Sequence, residues 1–322
     1  MPITAAELVP AIALWDDLAG ASARLINHSE NQTFLLEASS GEFVLRVHRS
    51  GYQSRPSIES ELAWLTALRR DTALPVPEPV AGRDGRLLQG FASGKGERLA
   101  VLFRRLPGVE PTLEDDLSSL FQTLGAYAAT MHEHVAGWKR PVGFKRQVWE
   151  ASTILDPDGL WGDWRRAPNV DEERRLVLDR LDQTLRTRLA DYGTAPGRFG
   201  LIHADMRLGN VLLDGERSYL LDFDDCGFCW FSYDFAAAIS FHETHAAIPQ
   251  LRDAWFGGYQ TMRSLSQEDI YITDTMVMLR RMALLAWIGS HGETRLAQHH
   301  APGFAEGTAA LAERYLAGPL WP

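Results

Sequence analysis

Nine residues, IHADMRLGN at 202–210, place a histidine, an aspartate and an asparagine between two apolar runs, FGLI before them and VLL after. A polar stretch that short, bounded by runs that short, reads as a loop between two strands. A turn sequence, DGERS, follows, and then YLL running into DFDD. The whole segment predicts strand, loop, strand, turn, strand. Pairing of these strands is expected to bring the loop residues Asp205 and Asn210 toward Asp222, which stands just past the last apolar run.

Those three side chains suit one kind of chemistry. Asp222 and Asn210 offer the hard oxygen donors that Mg2+ takes while it keeps some of its waters and shares phosphate oxygens. Asp205 is then left to accept the proton of an attacking hydroxyl. A base, a metal-holding Asn and a metal-holding Asp are the division of labour that protein kinases use for phosphoryl transfer.

HADMRLGNVLLDG, YLLDFDDCG and FSYDFAAAIS, in that order, resemble the aminoglycoside phosphotransferase and choline kinase superfamily, small-molecule relatives of the protein kinases. The resemblance spans nearly the whole chain. It implies an α+β, bilobal protein-kinase-like fold, with an antiparallel β-rich nucleotide-binding N-lobe over 1–105 and a mostly helical catalytic and acceptor-binding C-lobe over 106–322. It implies Asp205 as the catalytic base, Asn210 and Asp222 as metal ligands, His203 as a brace of the loop and Asp234 as its buttress. Arg46 of VLRVHR falls where protein kinases place the lysine that holds the nucleotide phosphates, with Glu61, rather than Glu59, as its helix partner. An arginine can engage phosphate oxygens bidentately, which a lysine does not do. ATP and Mg2+ are the implied cofactors.

The expected reaction is transfer of the γ-phosphoryl group to a hydroxyl of a small metabolite. The layout is more like the homoserine kinase type II and stress-response kinase branch than the compact antibiotic-resistance enzymes. An amino alcohol or hydroxy amino acid is the first expectation for the acceptor, a protein Ser/Thr side chain the second and an aminoglycoside the third. A catalytically silent nucleotide-binding protein of the same fold is a further alternative, against which the intact Asp205–Asn210–Asp222 set argues. The phosphate-covering loop is expected in NHSENQTF; it lacks glycines, which leaves Ser29, Asn31 and Thr33 as donors to phosphate. Trp230 and Asp224 are candidates for the acceptor pocket.

The rest of the chain fits two lobes. FLLEAS and EFVLRVHR flank the turn SG as a hairpin, and GRLLQGF and RLAVLFRRL predict two more strands. PSIESELAWLTALRR repeats apolar residues at helical spacing, with Ser57 as a candidate N-cap and Pro56 as an alternative opening. LPGVEPT at 106–112 is the best boundary, and beyond it the pattern turns helical. Apolar residues make up 45% and charged residues 23% of the 322 residues, ordinary for a globular protein. The start carries no basic segment ahead of its apolar stretch, which is expected of a cytoplasmic rather than a secreted chain. A net charge of −10 argues against a nucleic-acid partner, which needs a basic face. No apolar run is long enough for a membrane helix, so the partners expected are a small-molecule hydroxyl acceptor and, at most, a second copy of the chain, as monomer or homodimer. Two cysteines, in CGFC at 226–229, exclude a disulfide framework and supply half of a zinc site at most. FHETH at 241–245 has one residue too few for a zinc-protease motif; its histidines are expected on a helix surface or a pocket wall. His132 and His134 of MHEH are expected at helix-terminal carbonyls, and no partner is evident for the HH at 299–300.

Overall fold

The computed structural model describes residues 5–28, 31–94 and 96–321. In chain order come helix α1 (Ala5–Ile12) and strands β1 (Ser22–His28), β2 (Gln32–Ala38) and β3 (Gly41–Val47). Helix α2 (Arg55–Asp71) and strands β4 (Pro79–Val80), β5 (Leu88–Ser93) and β6 (Gly96–Arg104) follow. Next are α3 (Ser118–Gly137), α4 (Ala151–Leu155) and α5 (Glu172–Tyr192), then β7 (Phe199–Ile202), β8 (Val211–Asp214), β9 (Arg217–Leu220) and β10 (Gly227–Trp230). The chain closes with α6 (Tyr233–Ala238), α7 (Ile248–Gln260), α8 (Gln267–Tyr271), α9 (Thr273–Ser290) and α10 (Arg295–Ala317). No helix among the described residues is long and apolar enough to cross a membrane.

Two compact units emerge. The first takes residues 1–109 together with 139–146 and 212–224. Its antiparallel sheet runs β1-β2-β3-β6-β4, with β5 also on β6. The register pairs Phe34 with Leu45 and Leu36 with Phe43, so one face of the sheet collects Leu36, Phe43, Leu45 and Leu102 against Leu8, Ala11 and Trp15. The predicted hairpin is present; β1, wholly exposed along its length, was missing from the sequence reading because an edge strand without a buried face has no alternation to detect. In α2 the N-cap is Ser54, whose Oγ accepts the Ser57 N–H at 3.3 Å. Pro56 sits in the first turn, where no N–H is needed, and Ser57, expected as the cap, instead donates its hydroxyl to Gln53. The apolar stripe Ile58, Leu62, Leu65, Leu68 is buried. Trp64 meets Phe223 edge-on at 5.6 Å, fastening α2 to the segment that follows β9.

The second unit takes 110–138, 147–211 and 225–322. Its α9 is buried over almost its whole length. β7 pairs antiparallel with β10, Ile202 opposite Gly227 and Phe199 opposite Trp230, whereas β8 and β9, which belong to the first unit from residue 212 on, pair with each other. The sequence predicted that β7 pairs directly into the β8–β9 hairpin. The correction lies in CGFCW, whose apolar side chains form a strand that claims the edge of β7. Both cysteines there are fully buried and form no disulfide, and burial pushes the Cys229 thiol well above its usual range, away from the exposed, low-pKa thiolate of reactive cysteines.

Helices α3 and α7 approach until backbones touch. A Cβ on Gly258 would lie 1.7 Å from the Gln122 carbonyl oxygen, and one on Gly125 would lie 2.1 Å from that of Trp255. Backbone carbonyls inside helices have no room to yield, so Gly258→Ala forces the helices apart. Overpacking of this kind costs about 1–3 kcal/mol, and urea unfolding of Gly258→Ala is expected to show a loss of that size or more, with Gly257→Ala, where a Cβ meets open space and alanine favours the helix by about 0.5–1 kcal/mol, as the control that gains stability.

Candidate active site

In the first unit the chemistry gathers on β3, α2 and the end of the β9 strand. Arg46 is buried, and its Nη2 donates to both carboxylate oxygens of Glu61, at 2.6 and 2.8 Å. Its Nη1 donates to Asp222 Oδ1 at 3.3 Å, and the ring of Phe103 lies 5.3 Å from the guanidinium carbon. Burial alone would lower the Arg46 pKa, but the carboxylates of Glu61, Asp224 and Asp222 outweigh it and hold the cation firmly charged. Burial raises the Glu61 carboxyl against the opposing pull of Arg46. Glu59 is exposed, so Glu61 is the helix partner of Arg46. Asp222 adopts a left-handed backbone, φ 54°, and its side chain is 47% exposed.

Asp224 behaves differently from expectation. It is buried, accepts Asn31 Nδ2 at 2.8 Å on its Oδ2, and accepts Arg146 on its carbonyl. Burial pushes its carboxyl up, and Arg46 foremost outweighs that and holds it below the usual range. Within the first unit it ties Asn31 and Arg146 together. Asn31 commits its amide nitrogen to Asp224, and its Oδ1 accepts the Arg49 N–H at 3.3 Å, so its side chain pins the β1–β2 connection rather than waiting on phosphate. That connection is shorter than predicted: Asn27 and His28 end β1, and Thr33 lies within β2. Ser29, the remaining candidate, lies outside the described residues.

In the second unit the loop after β7 is shaped by one buried carboxylate. Asp234, in the first turn of α6, accepts the Ala204 N–H on Oδ1 at 2.7 Å and the His203 N–H on Oδ2 at 3.4 Å. These bonds hold Ala204 in a left-handed conformation, φ 66°. Behind Asp234 stands His132 of α3, one ring nitrogen 2.9 Å from Asp234 Oδ2 and the other 2.9 Å from the Tyr259 hydroxyl; it stacks on Phe231 with centroids 4.4 Å apart. His132 thus faces a carboxylate rather than the helix-terminal carbonyls expected of it, because it lies on the buried side of α3, several residues before the helix ends. His203 is buried and its Nδ1 accepts the Asp205 N–H at 3.2 Å.

The Asp205 carboxylate is surrounded. Oδ1 receives Arg280 Nη2 at 2.5 Å; Oδ2 receives Asn210 Nδ2 at 2.6 Å and has Arg207 Nε at 3.4 Å. Burial pushes its carboxyl up, but Arg280 and then Arg207 outweigh that and keep it below the ordinary carboxylate range. Asn210 ends a short 3-10 turn, Leu208–Asn210. Since its amide nitrogen is taken by Asp205, through both carbonyl and carboxylate, its amide oxygen is the atom left for a cation. The Asn210 amide oxygen and, within the first unit, the half-exposed Asp222 carboxylate are each a hard donor of the kind a divalent cation accepts.

Trp230 is elsewhere. Its indole N–H donates to the Gly193 carbonyl at 2.7 Å and its ring meets Phe199 edge-on; an aromatic of β10 opposite β7 is packing, and its expected place in an acceptor pocket is withdrawn. FHETH forms turns rather than a helix: Glu243 is buried and pairs with Arg281 at 2.5 Å, and Phe241 stacks on His300, centroids 3.9 Å apart, which supplies a partner for the histidine doublet. Arg280 and Arg281 went unread in the sequence. Their signal was legible: two adjacent charges inside MVMLRRMALLAWI, an otherwise apolar helix, are charges that must be buried and paired.

A sequence model of the family described as "Phosphotransferase enzyme family" matches residues 22–267. The solved structure of a microcompartment-associated aminopropanol kinase is similar with a TM-score of 0.87 and 41% identity, covering 95% of this chain and 96% of that one. Homoserine kinase of Gluconobacter oxydans is 30% identical over 249 residues, 74% of this chain and 72% of its own length. The amicoumacin kinase hAmiN, solved with AMP-PNP, Ca2+ and Ami, shares the fold with a TM-score of 0.77 at 20% identity, covering 97% of this chain and 93% of that one. Fold and site define a protein-kinase-like α+β phosphotransferase. The chain belongs to the phosphotransferase enzyme family, and is an ATP-dependent kinase that acts on a hydroxyl of a small molecule.

His48 yields a pH prediction. It is buried next to Arg46, its Nδ1 3.9 Å from Asp224 Oδ1, and burial first, then Arg46, depresses its pKa from 6.5 to about 3. The folded chain keeps it neutral where the unfolded chain takes up a proton, so its contribution to stability is complete above pH 6.5 and is lost as the pH falls toward 3. One such proton steepens the decline by up to ~1.4 kcal/mol per pH unit. Urea unfolding between about pH 6 and pH 4 is expected to show a shallower decline in His48→Gln than in the wild type, by roughly that slope.

Proposed function

We propose that this kinase phosphorylates the hydroxyl of a small amino alcohol, with Asp205 as the base, Asn210 and Asp222 as the ligands of Mg2+, and Arg46 as the phosphate-holding cation. The observation that carries the reading is Asp205 itself: a carboxylate only 14% exposed, kept ionised by Arg280 and Arg207 and hydrogen-bonded to Asn210. Nothing about packing calls for such an arrangement, and buried ion pairs are retained at a cost that a hydrophobic replacement avoids. The likeness to aminopropanol kinase at 41% identity over 95% of the chain supports an amino alcohol. The net charge of −10 is in keeping with a cationic acceptor. A hydroxy amino acid is the second reading, favoured by the 30% identity to homoserine kinase.

Asp205 accepts the proton of the attacking hydroxyl, and such a base contributes about 10²–10⁴-fold to rate. When bound, Mg2+ neutralises charge on the phosphate oxygens of ATP. Asn210 presents its amide oxygen while its nitrogen keeps Asp205 in place. Glu61 holds the Arg46 guanidinium in one orientation, and Arg46 in turn touches Asp222, so the phosphate-holding cation and the metal carboxylate are set by one chain of hydrogen bonds. His203 and Asp234 hold the loop. We place the enzyme in the cytoplasm, acting on a free metabolite without nucleic acid or membrane, as a monomer or homodimer.

Asp205→Asn is expected to lose turnover by about 10²-fold or more while ATP binding, measured by calorimetry, stays within a few-fold of wild type. Asp222→Ala is expected to weaken ATP binding in the presence of magnesium; unchanged affinity would remove Asp222 from the metal. The acceptor is tested by coupled ADP release over amino alcohols, hydroxy amino acids, sugars, aminoglycosides and serine-containing peptides. Aminopropanol or a close amino alcohol is expected to give the highest kcat/KM, and a higher value for homoserine would shift the reading to the hydroxy amino acids.

A further inference from the structure

Helix α9 sets two arginines side by side in an otherwise apolar, buried surface. Arg281 is accounted for by Glu243 at 2.5 Å, the Thr308 hydroxyl at 3.0 Å and the Phe304 carbonyl at 3.3 Å, all structural partners. Arg280 differs in what it touches. Its Nε donates to Ser240 Oγ at 2.9 Å, its Nη1 to the Ala204 carbonyl at 3.3 Å and its Nη2 to Asp205 Oδ1 at 2.5 Å. Three nitrogens of one planar group thus hold two pieces of chain, Ser240 on one side and the consecutive Ala204 and Asp205 on the other, while Trp161 lies 5.3 Å from the guanidinium carbon.

Ala204 shows what this geometry does. An alanine in the left-handed region is strained by roughly 1–2 kcal/mol, and it relaxes unless both flanking peptide groups are restrained. Its N–H is held by Asp234 and its C=O by Arg280. The residue is clamped from both sides, and the next residue is Asp205. Charge compensation alone does not require this: Arg207 already sets a second cation 3.4 Å from Oδ2. The guanidinium supplies orientation in addition to charge.

We propose that Arg280 is a positioning residue for phosphoryl transfer, its rigid fork fixing the strained Ala204 carbonyl and the Asp205 carboxylate as one body anchored on Ser240. This rests on the reading of Asp205 as the base. A lysine at 280 keeps the positive charge but presents one nitrogen in place of three spaced ones. Misplacing a reacting group by about 1 Å costs on the order of 10²-fold in rate.

The experiment compares Arg280→Lys, Arg280→Ala, Ser240→Ala and Asp205→Asn with wild type, using Mg·ATP and the acceptor of highest kcat/KM, and reads kcat, KM for ATP and the thermal midpoint. Arg280→Lys is expected to lose kcat by on the order of 10²-fold with KM for ATP unchanged. Added guanidinium is expected to restore part of the kcat of Arg280→Ala, and added ammonium to restore none. An Arg280→Lys variant within threefold of wild-type kcat overturns the proposal, as does rescue by ammonium equal to that by guanidinium. Should the Arg280 variants fail to fold, Ser240→Ala, which frees Nε alone, decides: a several-fold lower kcat at unchanged KM for ATP supports the fork, and an unchanged kcat refutes it. Asp205→Asn separates the two levels of failure. Retained turnover there refutes the base assignment and this proposal with it, whereas lost turnover beside an unaffected Arg280→Lys refutes only the positioning role.

Discussion

The second unit is organised around a carboxylate that has no access to water. Asp234 is completely buried, and a buried charge without partners costs several kcal/mol. Its partners come from different parts of the chain: two backbone N–H groups of the loop after β7 and the His132 ring of α3, itself tied to Tyr259 of α7. The penalty for leaving any of them unmade links helix packing to the loop. The close α3–α7 crossing allowed by Gly125 and Gly258 therefore does more than fill space. It places His132 where it completes the shell around Asp234, and Asp234 in turn forces the backbone turn that presents Asp205.

The first unit solves a similar problem with opposite sign. Its central buried charge is the Arg46 cation, with Glu61, Asp222 and Asp224 compensating it. Apolar side chains of equal volume are often as stable as such a network or more so, which makes its retention a mark of function rather than of folding. Strain tells the same story. The non-glycine residues with left-handed backbone among the described residues are Asn169, Ala204, Asp222 and Phe241. Ala204 precedes the base and Asp222 is the metal carboxylate of the proposed reaction. Conformations of this kind persist where surrounding bonds over-determine them, and they cluster at functional sites.

What the sequence disclosed and what it withheld follow from the same physics. The β2–β3 hairpin was readable because alternation encodes it locally, whereas the Arg46–Glu61 pair, 15 residues apart, was legible only through the family resemblance, which is also the source of the roles proposed for Asp205, Asn210 and Asp222. The β7–β10 pairing was not readable, since CGFCW is too short and too apolar to separate a strand from any other buried segment. Trp230 was misjudged because an indole in a core and an indole in a pocket have the same composition around them; only its N–H partner, the Gly193 carbonyl, separates the two. Asn31 and Asp224 were read as ligand-facing for want of knowing that they face each other across 193 positions of sequence. Arg280 was missed for a different reason. Its charge was visible, but its target lies 75 residues away.

Arg280 and then Arg207 outweigh burial and hold the Asp205 carboxyl below the ordinary range, so as the proposed base it is ionised near neutrality and weak. By Brønsted reasoning that lowers its drive to take a proton from an alcohol. The deficit is tolerable because phosphoryl transfer passes through a loose transition state in which positioning and charge neutralisation do most of the work and the nucleophile is little deprotonated. A base that must be strong would be kept away from cations. A base whose chief task is to aim a hydroxyl gains from them, since every donor that depresses its pKa also restricts its orientation. The arginines beside Asp205 are thus what an enzyme relying on alignment would place there.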